Sequence, residues 1–453
     1  MQSPTSDEGA RRAAGKTKIL SKIKIDLTNY LGIEKNIDFR GQQDKVFSII
    51  SNLYSSKTNQ TAMSGWLNLP HDSEMFKEIN EFVSKIKSSD QYQHLLVLGI
   101  GGSSLGAQAL IESLKTNLWN RLSATKRKGY LTVDFIDNLD PVMIRTILSR
   151  LKLNKTLFLV ISNAGSTVET IIPMLIAKEW VGENFYKQCV FITSVETRHG
   201  ASPLFELSNK HSIPIFPIPE NVGGRYSVFS PVGLLPAALC GVDLNEVKAG
   251  LFEADSLCQL QDIRANIAVS ISMCAYFSYL ANKNIFVLMP YSTCMRRFVD
   301  WFIQLWAESI GKNQKGSTPI CAIGATDQHS QLQLFNEGPN DKLICFVKVN
   351  KHKRDLTVPD FSNDNPNFRA YAGHKVGQIL NIEMDATRRA LAENKRPNIT
   401  ITLPELNEFY ISQLMYIFEV ATAITGNMLG VNPFDQPGVE LAKRYTREAL
   451  TNQ

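Results

Sequence analysis

A carboxylate, a guanidinium and an imidazole stand at positions from which they could move protons on a small molecule. Glu308 follows Gln304 by one helical turn, Arg225 follows two glycines, and His329 follows a glycine-containing turn. A carboxylate can act as a general base, an arginine can pair with a developing oxyanion, and histidine shuttles protons near neutral pH. We expect the aromatic residues of the same helix to surround Glu308. Each residue taken alone could equally be a surface or structural group.

Two strand-to-helix turns have the composition of an anion-binding site. The turn Gly99–Gly106 is glycine-rich, and the turn Ser162–Thr170 is rich in hydroxyl groups, with no acidic residue before Glu169. Free N–H groups and the positive end of the helix dipole attract anions at such junctions. Tight packing and ordinary N-capping explain the two turns about equally well. The second turn is the better candidate for binding a phosphate group.

Two common kinds of site are not indicated. The seven histidines have no metal-ligand spacing, and Gly99–Gly106 departs from the dinucleotide-binding pattern Gly-x-Gly-x-x-Gly. We therefore expect neither a metal nor a cofactor.

The composition is that of a globular, intracellular protein. Of 453 residues, 44% are hydrophobic and 20% are charged. Six basic and two acidic residues in the first 25 supply most of the net charge of +5, so a nucleic-acid-binding face is not expected. Seven scattered cysteines without C-x-x-C favour a reducing compartment. The longest apolar run, Val228–Val242, is interrupted by prolines and is too short to span a bilayer. We expect a cytoplasmic protein that does not enter a membrane.

Strand-like runs alternate with helical segments in two series, which predicts an α/β protein with two three-layer αβα sandwich domains and mostly parallel sheets. The predicted strands are 95–98, 131–136, 156–161, 189–193 and 213–217, then 285–289, 319–323, 343–349 and 399–403. A buried helix is expected within 262–282, and a helix break at 431–438. The predicted divisions are a basic, disordered leader (1–35), a helical N-terminal segment packing on the larger domain (36–90), two α/β domains (91–240 and 241–430) and a helical C-terminal segment (431–453).

Five segments, taken in order, resemble the glucose-6-phosphate isomerase (phosphoglucose isomerase) family, in which both α/β domains are sugar-isomerase domains. They are Gly99–Gly106, Gly223–Pro236, Met289–Lys312, Gly324–Asp341 and Phe434–Lys443. The resemblance implies interconversion of glucose 6-phosphate and fructose 6-phosphate, the aldose–ketose isomerisation of glycolysis and gluconeogenesis. It also implies ring opening followed by proton transfer through a cis-enediol, without a cofactor.

The resemblance assigns four catalytic roles. Glu308 would move the proton between C1 and C2, and Arg225 would stabilise the enediolate. His329 would help to open the sugar ring, with Lys443 assisting at the ring oxygen. The family's site is completed by the histidine of a partner subunit, so a homodimer is implied.

The resemblance further implies residues that hold the substrate, and Glu169 as the group that orients His329. The substrate-binding set is Gly102, Ser103, Ser162, Ser166, Thr167, Thr170, Gln304 and Gln436.

One departure from the family concerns the phosphate turn. The family has Ser-Lys-Ser-Gly-Thr-Thr where this chain has Asn163 and Ala164 at the second and third positions. We expect weakened phosphate binding, since a cation and a hydroxyl donor are missing. Two alternatives remain open, an isomerase of another phosphosugar and a non-catalytic sugar-phosphate-binding regulator. Retention of Glu308 counts against the regulator, because a sensor needs no base.

Overall fold

The computed structural model describes residues 22–35, 37–59, 61–197 and 200–451. Its strands are β1 Lys24–Asp26, β2 His94–Leu98, β3 Thr132–Ile136, β4 Thr156–Ile161, β5 Cys189–Thr193, β6 Glu196–Thr197, β7 Gly200–Ala201, β8 Ile215–Pro217, β9 Ile285–Pro290, β10 Thr318–Cys321, β11 Lys342–Lys351 and β12 Asn398–Glu405. Its α-helices are α1 Thr28–Leu31, α2 Gln43–Ser55, α3 Ser73–Ser89, α4 Leu105–Lys115, α5 Pro141–Arg150, α6 Val168–Val181, α7 Pro203–His211, α8 Pro231–Leu239, α9 Leu244–Cys258, α10 Ile267–Leu280, α11 Arg296–Ile310, α12 Leu332–Glu337, α13 Val376–Glu393, α14 Glu408–Leu429 and α15 Glu440–Thr451.

The first sheet is entirely parallel, with strand order β3-β2-β4-β5-β8. Every residue of β4 and β5 is buried. Continuous apolar runs of this kind are typical of parallel strands that carry helices on both faces. The five strands predicted for the first domain are confirmed, with boundaries that shift by one or two residues at β2, β3 and β8.

The second sheet has the order β1-β12-β11-β9-β10 and is parallel except at its edge, where β1 pairs antiparallel with β12. The four strands predicted for this sheet are present. An α/β fold with two mostly parallel, helix-covered sheets is therefore confirmed.

The prediction of a disordered leader over 1–35 is wrong for residues 22–35. Lys24–Asp26 pairs with 400–402 of β12, and the buried Tyr30 donates its hydroxyl to the Cys274 carbonyl at 2.9 Å. A three-residue edge strand is too short to show an alternating pattern, and its hydrogen-bond partners come from a distant part of the chain. Residues 1–21 lie outside the described residues.

Helix α14 is almost wholly buried and packs against α9, α10 and α11. One large apolar cluster includes side chains from both sheets and from this helix. The expected helix within 262–282 is α10, and the expected break separates α14 from α15. Within the described residues, no helix is both long and apolar enough to cross a bilayer.

The carboxyl ends of β2 and β4 lie side by side, because these two strands are neighbours in the first sheet. The turns that follow them, Gly99–Gly106 and Ser162–Thr170, therefore open on the same edge. Helix α11 of the second domain packs against α4, which begins in the first of these turns. Residues of both domains thus meet at one edge of the first sheet.

Candidate active site

Glu308 lies on the polar edge of α11, where its side chain is 31% exposed. Gln304, one turn earlier, donates from Nε2 to Oε1 of Glu308 at 3.1 Å. The expectation of an aromatic surrounding is wrong, because α11 is amphipathic and its aromatic side chains are buried in the core. The buried face holds Trp301, Phe302, Leu305 and Trp306. The core thereby fixes the helix, while the carboxylate remains accessible.

Arg225 is buried, with a side chain only 2% exposed, and lies in a 3-10 turn, Gly224–Tyr226. A buried guanidinium needs partners for its five N–H groups, since unpaired buried charge is costly. Here it has five partners. They are Ser309 Oγ (2.7 Å from Nε), Glu308 Oε2 (3.4 Å) and Gln436 Oε1 (2.8 Å) from Nη1, and the carbonyls of Pro433 (2.6 Å) and Asp435 (3.0 Å) from Nη2.

Tyr226 and Trp66 pack next to Arg225 and its acceptor Ser309. The Trp66 ring stacks on Tyr226 with centroids 4.9 Å apart, and the Tyr226 hydroxyl lies 3.2 Å from Ser309 Oγ, which also accepts from Arg225. Burial raises the pKa of Tyr226 to about 12, so its hydroxyl keeps its proton near neutral pH. The guanidinium plane is thus held by rigid neighbours.

Gln304, Glu308, Arg225 and Gln436 form a continuous row of hydrogen bonds. They come from three separate parts of the sequence. A base, a fixed positive charge and two amide side chains meet in this row. Such a set can remove a proton from carbon and stabilise the resulting oxyanion.

The glycine-rich turn approaches this row closely. A Cβ on Gly102 would lie 2.2 Å from the carbonyl oxygen of Gly224, and one on Gly101 would lie 2.9 Å from Nε2 of Gln304. Gly101 also has a positive φ of 60°. A side chain at Gly102 would push the turn away from the Arg225 loop, and one at Gly101 would displace the Gln304 amide. The glycines are therefore explained by close approach, and Ser103 lies half-buried in the same 3-10 turn.

The hydroxyl-rich turn is well ordered by internal contacts. Ser162 Oγ lies 2.8 Å from Thr167 Oγ1, Ser166 is exposed, and the buried Thr170 hydroxyl lies 3.4 Å from the Ile161 carbonyl. The turn leads into α6, whose first amides lack intrahelical partners by geometry. Thr170 supports the turn from inside, whereas the exposed edge of the turn could receive an anion.

The Asn163 side chain is bound within the protein. Its side-chain Oδ1 accepts from Ser194 Oγ at 2.5 Å, and its carbonyl accepts from Thr193 Oγ1 at 3.3 Å. The residue itself remains exposed. Asn163 therefore ties the phosphate turn to the end of β5 and adds no charge there.

Two predicted catalytic residues, His329 and Lys443, do not join the row within a single chain. His329 is exposed at the end of a 3-10 turn, Thr326–His329, and in the described part of this chain it makes no hydrogen bond or ion pair with Glu169. Asp327 holds this turn by accepting from the Ile323 amide at 2.6 Å. Lys443 is 55% exposed on α15 and donates to Glu440 at 3.0 Å.

Two residues of the site were missed at the level of sequence, Ser309 and Lys312. Ser309 directly follows Glu308, but its role as the Nε acceptor of Arg225 depends on an approach between distant segments. Lys312 contacts the turn that carries Gln436. Their only sequence signal was membership of the segment Met289–Lys312.

No group of three or more His, Cys, Asp or Glu side chains in the part of the chain that the structure describes could hold a metal ion. The row of side chains around Arg225 contains one carboxylate and no histidine or cysteine. Absence of a cofactor stays a prediction.

The two mostly parallel α/β sheets, with polar groups gathered at the carboxyl ends of the first, place this protein in the class of sugar-isomerase folds. A solved structure of a hypothetical protein from Thermus thermophilus superposes with a TM-score of 0.85, at 30% identity, over 95% of this chain and 100% of that chain. A glucose-6-phosphate isomerase from Chlamydia trachomatis shares the fold, with a TM-score of 0.76 at 19% identity, over 94% and 88% of the two chains.

The family model for phosphoglucose isomerase matches residues 53–452. A glucose-6-phosphate isomerase of Rubrobacter xylanophilus is 38% identical over 84% of this chain and 88% of its own length. That of Carboxydothermus hydrogenoformans is 35% identical over 94% of each chain. This chain belongs to the phosphoglucose isomerase family.

Proposed function

We propose that this chain is an aldose–ketose isomerase that interconverts D-glucose 6-phosphate and D-fructose 6-phosphate. One observation carries the proposal: a partly exposed carboxylate, Glu308, lies 3.4 Å from the buried guanidinium of Arg225. This pairing supplies a base and a fixed cation at one place. The family membership supplies the substrate, because its named relatives act on glucose 6-phosphate.

Proton transfer follows from the charges of this pair. Glu308 removes the proton from C2 of the open-chain aldose, and the electron pair moves to the C1 carbonyl oxygen, giving the cis-enediolate. Negative charge thus passes from Glu308 to the substrate oxygen, and Arg225 keeps an anionic neighbour throughout. A proton passes from O2 to O1 of the enediolate, and Glu308 returns its own proton to C1, which gives the ketose with its carbonyl at C2. Glu308 is the one protein group that changes its charge in this step.

Gln304 and Gln436 set the orientation of the two charged groups. Gln304 binds one oxygen of Glu308, and Gln436 accepts from the Arg225 nitrogen that also faces Glu308. Among the residues that the structure describes, the other oxygen of the carboxylate has one partner, the Arg225 nitrogen at 3.4 Å. That contact is the one most easily exchanged for a substrate oxygen.

Ring opening belongs to groups outside this row. A hemiacetal needs an acid at the ring oxygen and a base at the C1 hydroxyl, and both lie away from C2. We assign these steps to His329, oriented by Glu169, and to Lys443. His329 is exposed in the single chain, which suits a residue that enters the site of a second subunit in a homodimer.

The phosphate group is assigned to the turn Ser162–Thr170 and to Gly102 and Ser103 on the neighbouring turn. Hydroxyl groups and the N-terminus of α6 bind an anion without a cation at position 163. Because Asn163 brings no charge, phosphate affinity is lower than with lysine. Another phosphosugar as substrate remains the second candidate, and Asn163 is the observation that favours it.

The protein would act in the cytoplasm, without nucleic-acid or membrane partners. The charge distribution and the seven unpaired cysteines support this setting.

A coupled assay that converts fructose 6-phosphate to glucose 6-phosphate tests the function, with Glu308→Gln beside the wild type. We expect turnover by the wild type and a loss of about a thousandfold or more in the variant, since the amide cannot accept the proton. Glu337→Gln is the matched control, because Gln333 and Glu337 form the same i,i+4 hydrogen bond (2.8 Å) on an exposed helix, and it should keep full activity.

Three results would contradict the proposal. Turnover of a different phosphosugar, without turnover of fructose 6-phosphate, would change the assigned substrate. Binding of the phosphosugar without any turnover would favour a regulator. Unchanged turnover in Glu308→Gln would remove Glu308 as the base.

A further inference from the structure

The turn that follows α11 directs two lysines toward the end of α14. The Lys315 amide donates to the Lys312 carbonyl at 2.9 Å, and the two residues pair as an isolated antiparallel bridge. Asn313 and Gln314 between them have φ values of 52° and 60°. Positive φ at both central residues is the geometry of a type I′ turn. Paired residues across such a turn present their side chains on the same side. Both lysines therefore reach the segment 429–435, which runs from the end of α14 into the next turn.

Lys312 binds the turn that precedes α15. Its Nζ donates to the carbonyls of Ser309 (2.9 Å) and Asn432 and forms an ion pair with Asp435 Oδ1 at 3.2 Å, with a side chain only 10% exposed. Lys315 instead donates to the Leu429 carbonyl at 2.8 Å, at the C-terminus of α14. The two lysines thus make similar contacts to two different parts of the segment.

Arg225 holds the same turn from the other side, through the carbonyls of Pro433 and Asp435. Arg225 and Lys312 together are called the cation clamp below. Backbone carbonyls in a turn need partners, and charged donors make the strongest hydrogen bonds to them. The clamped turn, residues 432–436, ends at Gln436, whose side chain binds Arg225.

The Asp435 carboxylate offsets the charge of one member of the clamp, Lys312. Burial, together with the charge of Arg225, lowers the pKa of Lys312, and the hydrogen bond to Asp435 opposes this shift. Asn432 Nδ2 donates to the second oxygen of Asp435 at 3.1 Å. Removing the Lys312 ammonium would therefore leave two carbonyls, those of Ser309 and Asn432, and the Asp435 carboxylate without their cation.

We propose that Lys312 is a positioning residue, which with Arg225 holds the turn 432–436 so that Gln436 meets the Arg225–Glu308 pair. The inference rests on the proposed function for the role of Gln436. Lys312 touches no substrate and acts through the turn. Displacing a positioning group by even a small distance costs catalysis more than binding.

The test combines kinetics with hydrogen exchange on the full chain. We expect Lys312→Met to lower kcat by about 10- to 100-fold per folded enzyme, with a smaller change in KM, and Lys312→Arg to recover part of the loss. In Lys312→Met, the amides of 432–436 should exchange faster. Lys315→Met is the matched control and should change neither kcat nor exchange at 432–436.

A double variant shows whether Lys312 acts through Gln436. We expect Lys312→Met to have little further effect on kcat in a Gln436→Ala background, because the group being positioned is gone. Effects that multiply would overturn the inference, as would an unchanged kcat per folded enzyme with only a lower melting temperature.

Failure of the inference is distinguishable from failure of the proposed function. Unchanged kinetics in Lys312→Met, with an active wild type and an inactive Glu308→Gln, overturns the inference alone. If the wild type lacks turnover, the proposed function fails, and unchanged exchange at 432–436 in Lys312→Met then overturns the clamp as well.

Discussion

Nη1 of Arg225 lies 3.4 Å from Oε2 of Glu308, while the other four N–H groups of the guanidinium bind Ser309, Gln436 and two backbone carbonyls. The longest of the five contacts is the one to the proposed base. Arg225 is thus anchored by the protein, and in the proposed mechanism it exchanges only its weakest partner when substrate binds. Fixed cations of this kind stabilise developing charge without reorganising during the reaction.

Arg225→Lys should show that the fork of donors matters as well as the charge. Lysine keeps the charge but has three donors on one nitrogen, so it cannot bind Ser309, Gln436 and the 432–436 turn together. Loss of at least one charged hydrogen bond, at about 1.5–3 kcal/mol, predicts a fall in kcat/KM of about 10- to 100-fold. Steady-state kinetics measure kcat/KM of the variant. The control is Arg389→Lys, at an exposed ion pair with Glu393, and it should leave kcat/KM unchanged. Equal activity of Arg225→Lys and wild type would contradict the anchoring role.

Asn163→Lys should lower KM for the phosphosugar. The new ammonium would reach an anion at the exposed edge of the turn, at the cost of the Ser194 hydrogen bond. One additional charged hydrogen bond to the phosphate predicts a fall in KM of about tenfold. The exposed Asn52→Lys, on α2, adds the same charge elsewhere and should leave KM unchanged. An unchanged or higher KM in Asn163→Lys alone would place the phosphate in another part of the molecule.

Mixed subunits can decide whether His329 acts across a dimer. Glu308→Gln and His329→Ala subunits, each inactive alone, should regain about a quarter of wild-type activity when they are co-refolded in equal amounts. In a mixed dimer, one site would combine an intact Glu308 with an intact His329 from the other chain. No recovery, with mixed dimers demonstrated by differential tagging, would place His329 in the site of its own chain.

Glu419, in α14, should make stability depend on pH. Its side chain is 1% exposed, its Oε1 has no hydrogen-bond partner among the described residues, and burial raises its pKa well above the ordinary 4.5. The folded state therefore holds a proton that the unfolded state releases above pH 4.5. Its stabilising contribution is complete below that pH and falls as the pH rises through the folded pKa, by at most ~1.4 kcal/mol per unit.

Urea midpoints measured between about pH 5 and pH 8 test this dependence. Relative to wild type, Glu419→Gln should gain stability as the pH rises, because its amide carries no proton to lose. The exposed Glu393→Gln should follow the wild-type curve. Parallel curves for Glu419→Gln and wild type would show that Glu419 ionises equally in the folded and unfolded states.

The class of fold and the residues that make the main charge pair could be read from the sequence. Apolar strands bounded by helical segments predicted both sheets, because burial on both faces of a parallel sheet forces continuous apolar runs. Glu308, Arg225, Gln304 and Gln436 were identified from motifs, and the structure joins them in one row. The partner site for His329 stays a prediction, since it depends on a second chain.

Other features depended on tertiary structure alone. The partner of β1 lies more than 370 residues away, at 400–402, and neither segment specifies the other by local pattern. The same holds for the five partners of Arg225 and for Lys312, because hydrogen bonds between distant segments depend on how helices pack and turns approach. Local periodicity indicated the strands of both parallel sheets, with β1 as the exception, and the apolar residues buried between the sheets and their helices. Only the packed chain decided which polar groups meet, since that choice is made by the requirement that every buried charge find a partner.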